Sequence, residues 1–210
     1  MTFKVGIVGY GVVGKRRHNA LKNIVDFKVT ALSDINFNTG NELPDLKCYS
    51  NFKELIKNED IDVLFISLPH NFAAEATLMG LKKGAHVFCE KPPSKSLNEL
   101  KPIQEFMRDS DLKLMYGFNH RFHSSVIKAR EIVKEKKLGK VINMKGTYGK
   151  SKMISFNQTD WRTDRSKSGG GILLDQGIHM LDLMNYFGGG FNQVFSIIQN
   201  SFWNYDVEDL

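Results

Sequence analysis

Short apolar runs alternate with amphipathic stretches through the first half of the chain. The runs at residues 4–8, 28–32, 62–67, 85–89 and 112–118 predict strands, and their nearly continuous apolar character is typical of parallel strands covered on both faces. Between them, apolar positions with a helical period predict helices at residues 14–23, 52–58, 73–82 and 97–109. This alternation predicts an α/β fold with a doubly wound parallel sheet.

The pattern changes after about residue 118. An amphipathic stretch predicts a helix over residues 124–137, followed by Gly139 as a suitable C-terminal cap and by a strand at 141–148. A polar loop at 150–168 precedes three glycines, which open a helix predicted to run to about residue 187. Three more glycines end that helix, and residues 191–199 predict another strand. We therefore expect two domains, residues 1–118 and 119–210.

Composition narrows the class of protein. The chain has 210 residues, of which 41% are hydrophobic and 25% charged, as in ordinary globular proteins. No apolar run approaches the roughly 20 residues that span a bilayer, and the N-terminus lacks the pattern of a signal peptide. Two cysteines, Cys48 and Cys89, are too few for a disulfide framework. We expect a cytoplasmic protein without a membrane segment.

The net charge of +6 favours anionic partners. The basic residues are scattered along the chain, however, and no interleaved aromatic pattern accompanies them, which argues against nucleic acid. A phosphorylated cofactor or substrate accounts for the same charge.

A glycine motif indicates what that cofactor is. Gly9, Gly11 and Gly14 have G-x-G-x-x-G spacing, and they lie between a predicted strand and a predicted helix. The first glycine permits a tight turn, the second lets the backbone approach a pyrophosphate, and the third allows close packing of helix on strand. The alternative is a glycine-rich turn without a ligand, but the structural context favours a dinucleotide.

Asp34 favours NAD over NADP. It ends the second predicted strand, where a carboxylate can accept hydrogen bonds from both ribose hydroxyls of the adenosine half. The same carboxylate would repel a 2′-phosphate, and residues 35–38 contain no Arg or Lys to bind one.

Two further groups carry possible chemistry. Glu90, Lys91 and Pro92 follow the strand predicted at 85–89, at the sheet edge where ligands of α/β proteins bind. Asp175 and His179 are four residues apart in the predicted helix, which places them on one face. Taken singly, the lysine reads as a surface residue before a turn, and the pair as a helix cap or core pair.

Four blocks in chain order carry a family resemblance. They are the glycine motif, Glu-Lys-Pro at 90–92, GFNHRF at 117–122 and WRTDRSKSGGGILLDQGIHMLD at 161–182. Together they resemble the glucose–fructose oxidoreductase/inositol dehydrogenase/rhizopine-catabolism (Gfo/Idh/MocA) family over essentially the whole chain. The resemblance implies a Rossmann domain, followed by an α/β domain with a mainly antiparallel sheet. It also implies hydride transfer between NAD(P) and a carbinol carbon of a sugar, cyclitol or nucleotide-linked sugar, in a homo-oligomer.

The resemblance also implies site residues. It assigns catalysis to Lys91, Asp175 and His179, with Lys91 approaching from the Rossmann side, and it implies a cis peptide at Lys91–Pro92. Cofactor contacts are expected at Gly9, Tyr10, Gly11, Val12, Val13, Gly14, Asp34, Leu68, Pro69, His70, Glu90 and Lys91. Substrate contacts are expected at Lys91, Asn119, Arg162, Asp175 and His179. Ala73 stands where many members of the family have a histidine. Members of the family also continue beyond residue 210, so the second domain is expected to be incomplete.

The residue types suit alcohol oxidation. Histidine is the natural base near neutral pH, so His179 can take the hydroxyl proton while Lys91 stabilises the developing alkoxide. Asp175 can hold the substrate or bias the imidazole, and the reverse assignment, with Lys91 as base, is equally compatible. Asp182 extends the same helix face, but nothing else clusters there, so no metal is predicted.

Three residues at the domain junction are not expected to take part in catalysis. Arg121 is interpreted as structural, and His120 and His123 are expected to contact solvent or backbone.

Two other functions stay open at this point. One is a glycosidase that uses bound NAD transiently and shows no net change in NADH. The other is a non-catalytic NAD-binding regulator, against which the presence of both Lys91 and His179 argues.

Overall fold

A computed structural model describes residues 2–37, 43, 45–149 and 161–210. The chain forms two compact units, Met1–Gly117 and Phe118–Leu210, and each is described by itself.

The first unit is a single parallel sheet with its connecting helices. Its elements are β1 (Phe3–Val8), α1 (Val12–Leu21), β2 (Phe27–Ser33), β3 (Lys47–Tyr49), α2 (Phe52–Asn58), β4 (Val63–Ile66), α3 (His70–Lys82), β5 (His86–Cys89), α4 (Leu97–Arg108) and β6 (Leu114–Tyr116). The strand order is β3-β2-β1-β4-β5-β6, and every neighbouring pair is parallel. The predicted doubly wound α/β fold is confirmed.

The centre of this sheet forms the core. Val5, Ile7 and Val8 of β1 are fully buried, as are Leu32 of β2 and Leu64 of β4. Each such side chain stabilises the fold by about 1.5–3 kcal/mol relative to an exposed one. The central strands are covered on both faces, which explains their continuous apolar sequence.

Apart from shifts of one or two residues at element boundaries, two details differ from the prediction. Strand β3 was not predicted, because three residues are too few to show a period and only β2 pairs with it. Helix α3 begins at His70 rather than at residue 73, directly after Pro69, whose fixed φ suits a helix start.

The described part of the second unit is helical. It contains a 3₁₀ turn at Asn119–Phe122, α5 (Ser124–Lys134), a 3₁₀ turn at Trp161–Thr163, α6 (Arg165–Ser168), a π-helical turn at Leu173–Gly177 and α7 (Ile178–Gly188). The helix predicted after the three glycines is confirmed, although its first part is π-helical. Helix α5 ends three residues earlier than predicted, and Gly139 beyond it has a φ of +79°.

The strands predicted at 141–148 and 191–199 are wrong for this structure. Within its described residues, the second unit contains no strand, so the mainly antiparallel sheet has no counterpart there. An apolar pattern supplies a tendency, but a strand exists only where its backbone pairs with another. Backbone pairing is limited here to Gln199, which binds Asp209 and Leu210, while Ile142 and Phe195 remain 96% and 89% exposed.

The polar loop predicted at 150–168 is described only from residue 161. Residues 150–160 lie outside the described range, and the remainder forms the short helical segments given above. None of the helices in the described ranges has the length and apolar character needed to cross a bilayer.

Candidate active site

The glycine turn after β1 is constrained at two of its three glycines. Gly9 has a φ of +84°, and a Cβ there would approach the Ser67 carbonyl oxygen more closely than the 3.0 Å that real Cβ atoms respect. A Cβ on Gly14 would overlap the Gly9 carbonyl oxygen in the same way. Both residues must be glycine for the turn and the start of α1 to pack.

Gly11 is different, because a Cβ there would meet no atom within 4 Å. It is the N-cap residue of α1 in extended conformation, and Val12 and Val13 after it are 69% and 39% exposed. The start of α1 is therefore exposed, and the first N–H groups of a helix have no acceptor within it, as the binding of an anionic pyrophosphate requires. These residues fit a dinucleotide cofactor.

Asp34 follows β2, the neighbour of β1 in the sheet. Its N–H donates to the Tyr49 carbonyl at 3.0 Å, and its Oδ1 accepts from the backbone N and the Nδ2 of Asn36 at 3.0 and 2.8 Å. These bonds fix the carboxylate beside the glycine turn, which fits the predicted contact with a ribose.

The Tyr10 side chain packs against helix α1. Its hydroxyl lies 2.7 Å from Nδ1 of His18, and its ring lies 5.9 Å from the ring of Phe37. Burial, with a smaller contribution from Lys22, lowers the pKa of His18 below 6.5, which favours a neutral imidazole that accepts from the tyrosine. The sequence did not predict this pair, although its two residues are only eight positions apart and Tyr10 lies in the glycine turn.

Residues 68–70 lie beside the turn as well. They follow β4, the other neighbour of β1, and a Cβ on Gly9 would lie 3.1 Å from the Leu68 backbone nitrogen. His70 begins α3 and is 4% exposed. The order of the strands reverses between β1 and β4, and ligands of doubly wound sheets bind at such a point.

The Glu-Lys-Pro block follows β5. The Lys91–Pro92 peptide is cis, so that prediction is confirmed. Glu90 accepts a hydrogen bond from Nε of Arg17 at 2.7 Å and a second from its Nη2, and it packs against Gly117. Its carboxylate therefore ties α1 to the segment that carries Lys91, a contact that the sequence did not indicate.

In the second unit, Asp175 lies in the π-helical turn and is 7% exposed. Its Oδ2 accepts from Nε2 of Gln176 at 2.9 Å and lies 4.0 Å from Nε of Arg162. The Arg162 guanidinium also lies over the Trp161 ring at 4.4 Å. Two predicted site residues, Asp175 and Arg162, thus come together. Single π-helical turns of this kind are frequent at functional sites.

His179 is the second residue of helix α7, which follows this turn, and it is 5% exposed. The His120 ring stacks on it at 4.0 Å, and the Phe118 ring meets its face edge-on at 6.2 Å. Tyr148 stacks on His120 at 5.8 Å, and its hydroxyl donates to Oε1 of Gln176 at 3.5 Å, so it links the surroundings of His179 and Asp175.

The expectation for His120 is therefore wrong. The residue stacks on a predicted catalytic histidine instead of facing solvent, and His123 meets its ring at 5.3 Å. A histidine four positions before an amphipathic helix gives no sign of a partner almost sixty residues away. Asn119, a predicted substrate contact, begins the same 3₁₀ turn.

Asp182 belongs to an ion pair. It accepts from Nε of Arg121 at 2.7 Å and from Nη2, and the hydrogen bond to Asp182 raises the pKa of Arg121 against the opposing effect of burial. The Arg121 guanidinium also lies 5.0 Å over the Tyr186 ring. In the described ranges, no group of three or more His, Cys, Asp and Glu residues is placed to hold a metal.

Family comparison accounts for both units. Residues 3–118 match the family described as "Oxidoreductase family, NAD-binding Rossmann fold", and residues 126–210 match the "GFO/IDH/MocA C-terminal domain". The chain belongs to the Gfo/Idh/MocA oxidoreductase family. The predicted resemblance and the predicted NAD-binding Rossmann fold are confirmed.

Named relatives include two dehydrogenases. The chain is 30% identical over 193 residues to myo-inositol 2-dehydrogenase of Thermotoga maritima, an alignment that covers 89% of this chain and 55% of that protein. It is 29% identical over 150 residues to levoglucosan dehydrogenase of Pseudarthrobacter phenanthrenivorans, covering 71% and 38%. The chain thus spans about half the length of the curated relatives it matches.

The fold also matches a solved structure. A levoglucosan dehydrogenase in complex with NADH and levoglucosan superposes with a TM-score of 0.90, at 24% identity, over 100% of this chain and 62% of that one. At this identity the match establishes the fold alone.

Proposed function

We propose that the protein is an NAD-dependent oxidoreductase that transfers a hydride between the cofactor and a secondary alcohol of a sugar, cyclitol or nucleotide-linked sugar. The observation that carries the proposal is a buried carboxylate and a buried imidazole, Asp175 and His179, on a glycine-led helix. They occur in a chain whose first unit is an NAD-binding Rossmann fold.

The first unit supplies the cofactor contacts. Backbone N–H groups of Gly11, Val12 and Val13 bind the pyrophosphate, and the Asp34 carboxylate accepts from the adenosine ribose. Leu68, Pro69 and His70 border the same turn. The absence of Arg or Lys at residues 35–38 supports NAD over NADP.

The chain's own residues handle the proton and the charge. NAD, when bound, supplies the hydride acceptor. His179 takes the hydroxyl proton, Lys91 stabilises negative charge on the oxygen, and Asp175, held by Gln176 and Arg162, orients the substrate hydroxyl. The reverse assignment, with Lys91 as base and His179 as hydrogen-bond partner, uses the same three residues.

The substrate class follows from chemistry and relatives together. Asp175 and Arg162 offer an acceptor and donors suited to a polyhydroxylated ring, and the Trp161 ring stacks on Arg162 beside them. Matched relatives are named for acting on myo-inositol and on levoglucosan, both polyols. A cytoplasmic location, supported by two free cysteines, and a homo-oligomeric state belong to the same proposal.

Net NADH formation separates this function from the two alternatives. The protein is incubated with NAD and a panel of sugars, cyclitols and nucleotide sugars, beside Lys91→Ala and His179→Ala. A dehydrogenase forms NADH in proportion to oxidised product, and each variant loses about 10²-fold or more in kcat/KM. Bond cleavage without net NADH indicates the glycosidase, and NAD binding without any turnover indicates the regulator.

The variants also require a binding control. Both are expected to retain the fold of the first unit, and calorimetric titration with NAD checks this directly. A variant that keeps wild-type kcat/KM removes that residue from the mechanism.

A further inference from the structure

The glycine triplet before Asp175 packs against a segment near the end of the chain. A Cβ on Gly171 would overlap the Glu208 carbonyl oxygen, and one on Gly170 would lie 3.3 Å from Oε1 of the same residue. Val207 and Glu208 are only 6% and 8% exposed, so this segment is buried against Gly170 and Gly171, which we call the glycine hinge. Glycine is required at position 171 because the backbone of Glu208 leaves no room there for a Cβ.

Glu208 forms two hydrogen bonds to that hinge. Its Oε1 accepts the Gly171 N–H at 2.7 Å, and its backbone carbonyl accepts the Ile172 N–H at 3.1 Å. These N–H groups belong to the start of the helical segment, where no intrahelical acceptor is available. An ionised acceptor makes the first bond stronger than a neutral pair.

The carboxylate is itself held in place. Nη2 of Arg165 lies 3.4 Å from Oε2 of Glu208, and Nε of Arg165 donates to the Asp206 carbonyl at 3.0 Å. This positive partner compensates the nearly buried charge, which would otherwise be costly.

The hinge leads directly to the proposed catalytic residues. The Gly171 carbonyl accepts the Asp175 N–H at 2.9 Å, and His179 lies one turn further along the same helical segment. A displacement of Gly171 is therefore transmitted to Asp175 through one hydrogen bond.

We propose that Glu208 is a positioning residue, whose carboxylate clamps the Gly170–Gly171 hinge and so fixes Asp175 and His179 for reaction. The catalytic half of this inference rests on the proposed function. The structural half does not, and the two are tested separately.

Hydrogen exchange tests the clamp without substrate. Amide exchange of Gly171 and Ile172 is followed by NMR in the wild type, Glu208→Ala and Glu208→Gln. Alanine is expected to speed exchange at Gly171 about 10-fold or more, because the side-chain acceptor of its N–H is lost. Exchange at Ile172 is expected to change less, because the acceptor of its N–H is the Glu208 backbone carbonyl, which the variant keeps. Glutamine keeps one acceptor oxygen and is expected to stay within about threefold of the wild type. The matched control is Glu131→Ala, which removes an exposed carboxylate paired with Lys128 and is expected to change neither amide.

The imidazole signal of His179 and steady-state kinetics test the positioning. In Glu208→Ala the His179 ring resonances are expected to shift or broaden, and kcat to fall about 10- to 100-fold with the KM for NAD unchanged. In Glu208→Gln both are expected to stay near the wild-type values. A lack of dehydrogenase activity in the wild type would remove the proposed function, yet the exchange rates and the ring signal would still decide the clamp.

Three results overturn the inference. They are unchanged exchange at Gly171 in Glu208→Ala, equal damage from alanine and glutamine, and rapid exchange that leaves the His179 signal unmoved. If Glu208→Ala does not fold, Arg165→Ala provides a milder perturbation. It is expected to raise exchange at Gly171 about threefold by loosening the carboxylate, and no increase there contradicts the clamp.

Discussion

Replacing Gly11 by alanine should separate the cofactor site from the fold. The added Cβ meets no atom within 4 Å, and the residue's φ of −75° with ψ of −157° is accessible to alanine. The substitution also reduces the entropy of the unfolded chain, so the free energy of unfolding should stay the same or rise by up to about 1 kcal/mol. Gly14→Ala differs, because its Cβ overlaps the Gly9 carbonyl, and it should cost about 1–3 kcal/mol or more.

The expected effect of Gly11→Ala on binding is large. A methyl group at the helix start keeps the pyrophosphate away from the backbone N–H groups. Losing one hydrogen bond to a charged group costs about 1.5–3 kcal/mol, which corresponds to a roughly 10- to 100-fold weaker Kd for NAD.

Calorimetric titration with NAD and urea unfolding measure the two effects. Gly149→Ala is the matched control, since its Cβ also points into open space but lies in the second unit, and it should change neither quantity. Wild-type NAD affinity in Gly11→Ala would refute the placement of the pyrophosphate.

Three further predictions concern charge, pH and surface. Replacing Asp34 with Ser and adding a nearby Arg should improve NADP binding in calorimetry, and an unmodified protein that already prefers NADP contradicts the role of this carboxylate. The pKa of His18 is lowered in the folded state, so the unfolded chain binds more protons as the pH falls below 6.5. Stability in urea unfolding should therefore fall between about pH 7 and pH 5, and His18→Gln should flatten that stability profile; an equally steep profile in the variant argues against His18 as its source. Exposed apolar side chains such as Ile142 and Phe195 should cause self-association through the second unit, as seen by light scattering; a monomer at high concentration contradicts this.

The first unit could be predicted because its signals are local. The strands at its centre are buried on both faces, so each carries a continuous apolar run, and the glycine spacing identifies the turn after β1. Strand β3 was not predicted, because its three residues are too few to show a period and they pair with β2 alone. The strands predicted in the second unit failed for a related reason. Their apolar patterns are present, but pairing depends on a partner backbone that the pattern does not specify.

The candidate site shows the same difference between features that depend on local sequence and features that depend on distant partners. The shared helix face of Asp175 and His179 could be predicted because their spacing is a local property of one helix, whereas their catalytic assignment came from the family resemblance. His120 contacts His179, Arg162 contacts Asp175, and Glu208 contacts the glycine hinge. These partners come from other parts of the chain, and no spacing in the sequence predicts such contacts. Glycines in the hinge were the only hint that another backbone crosses there.

Hydride transfer itself is the most direct test of the central claim. A polyol identified as substrate is prepared with deuterium at the carbinol carbon and incubated with NAD and the protein, and the NADH is analysed by mass spectrometry. Hydride transfer predicts one deuterium in each NADH, equal amounts of ketone product, and loss of both in His179→Gln with NAD binding intact. NADH without deuterium, or no NADH although both ligands bind, would contradict it.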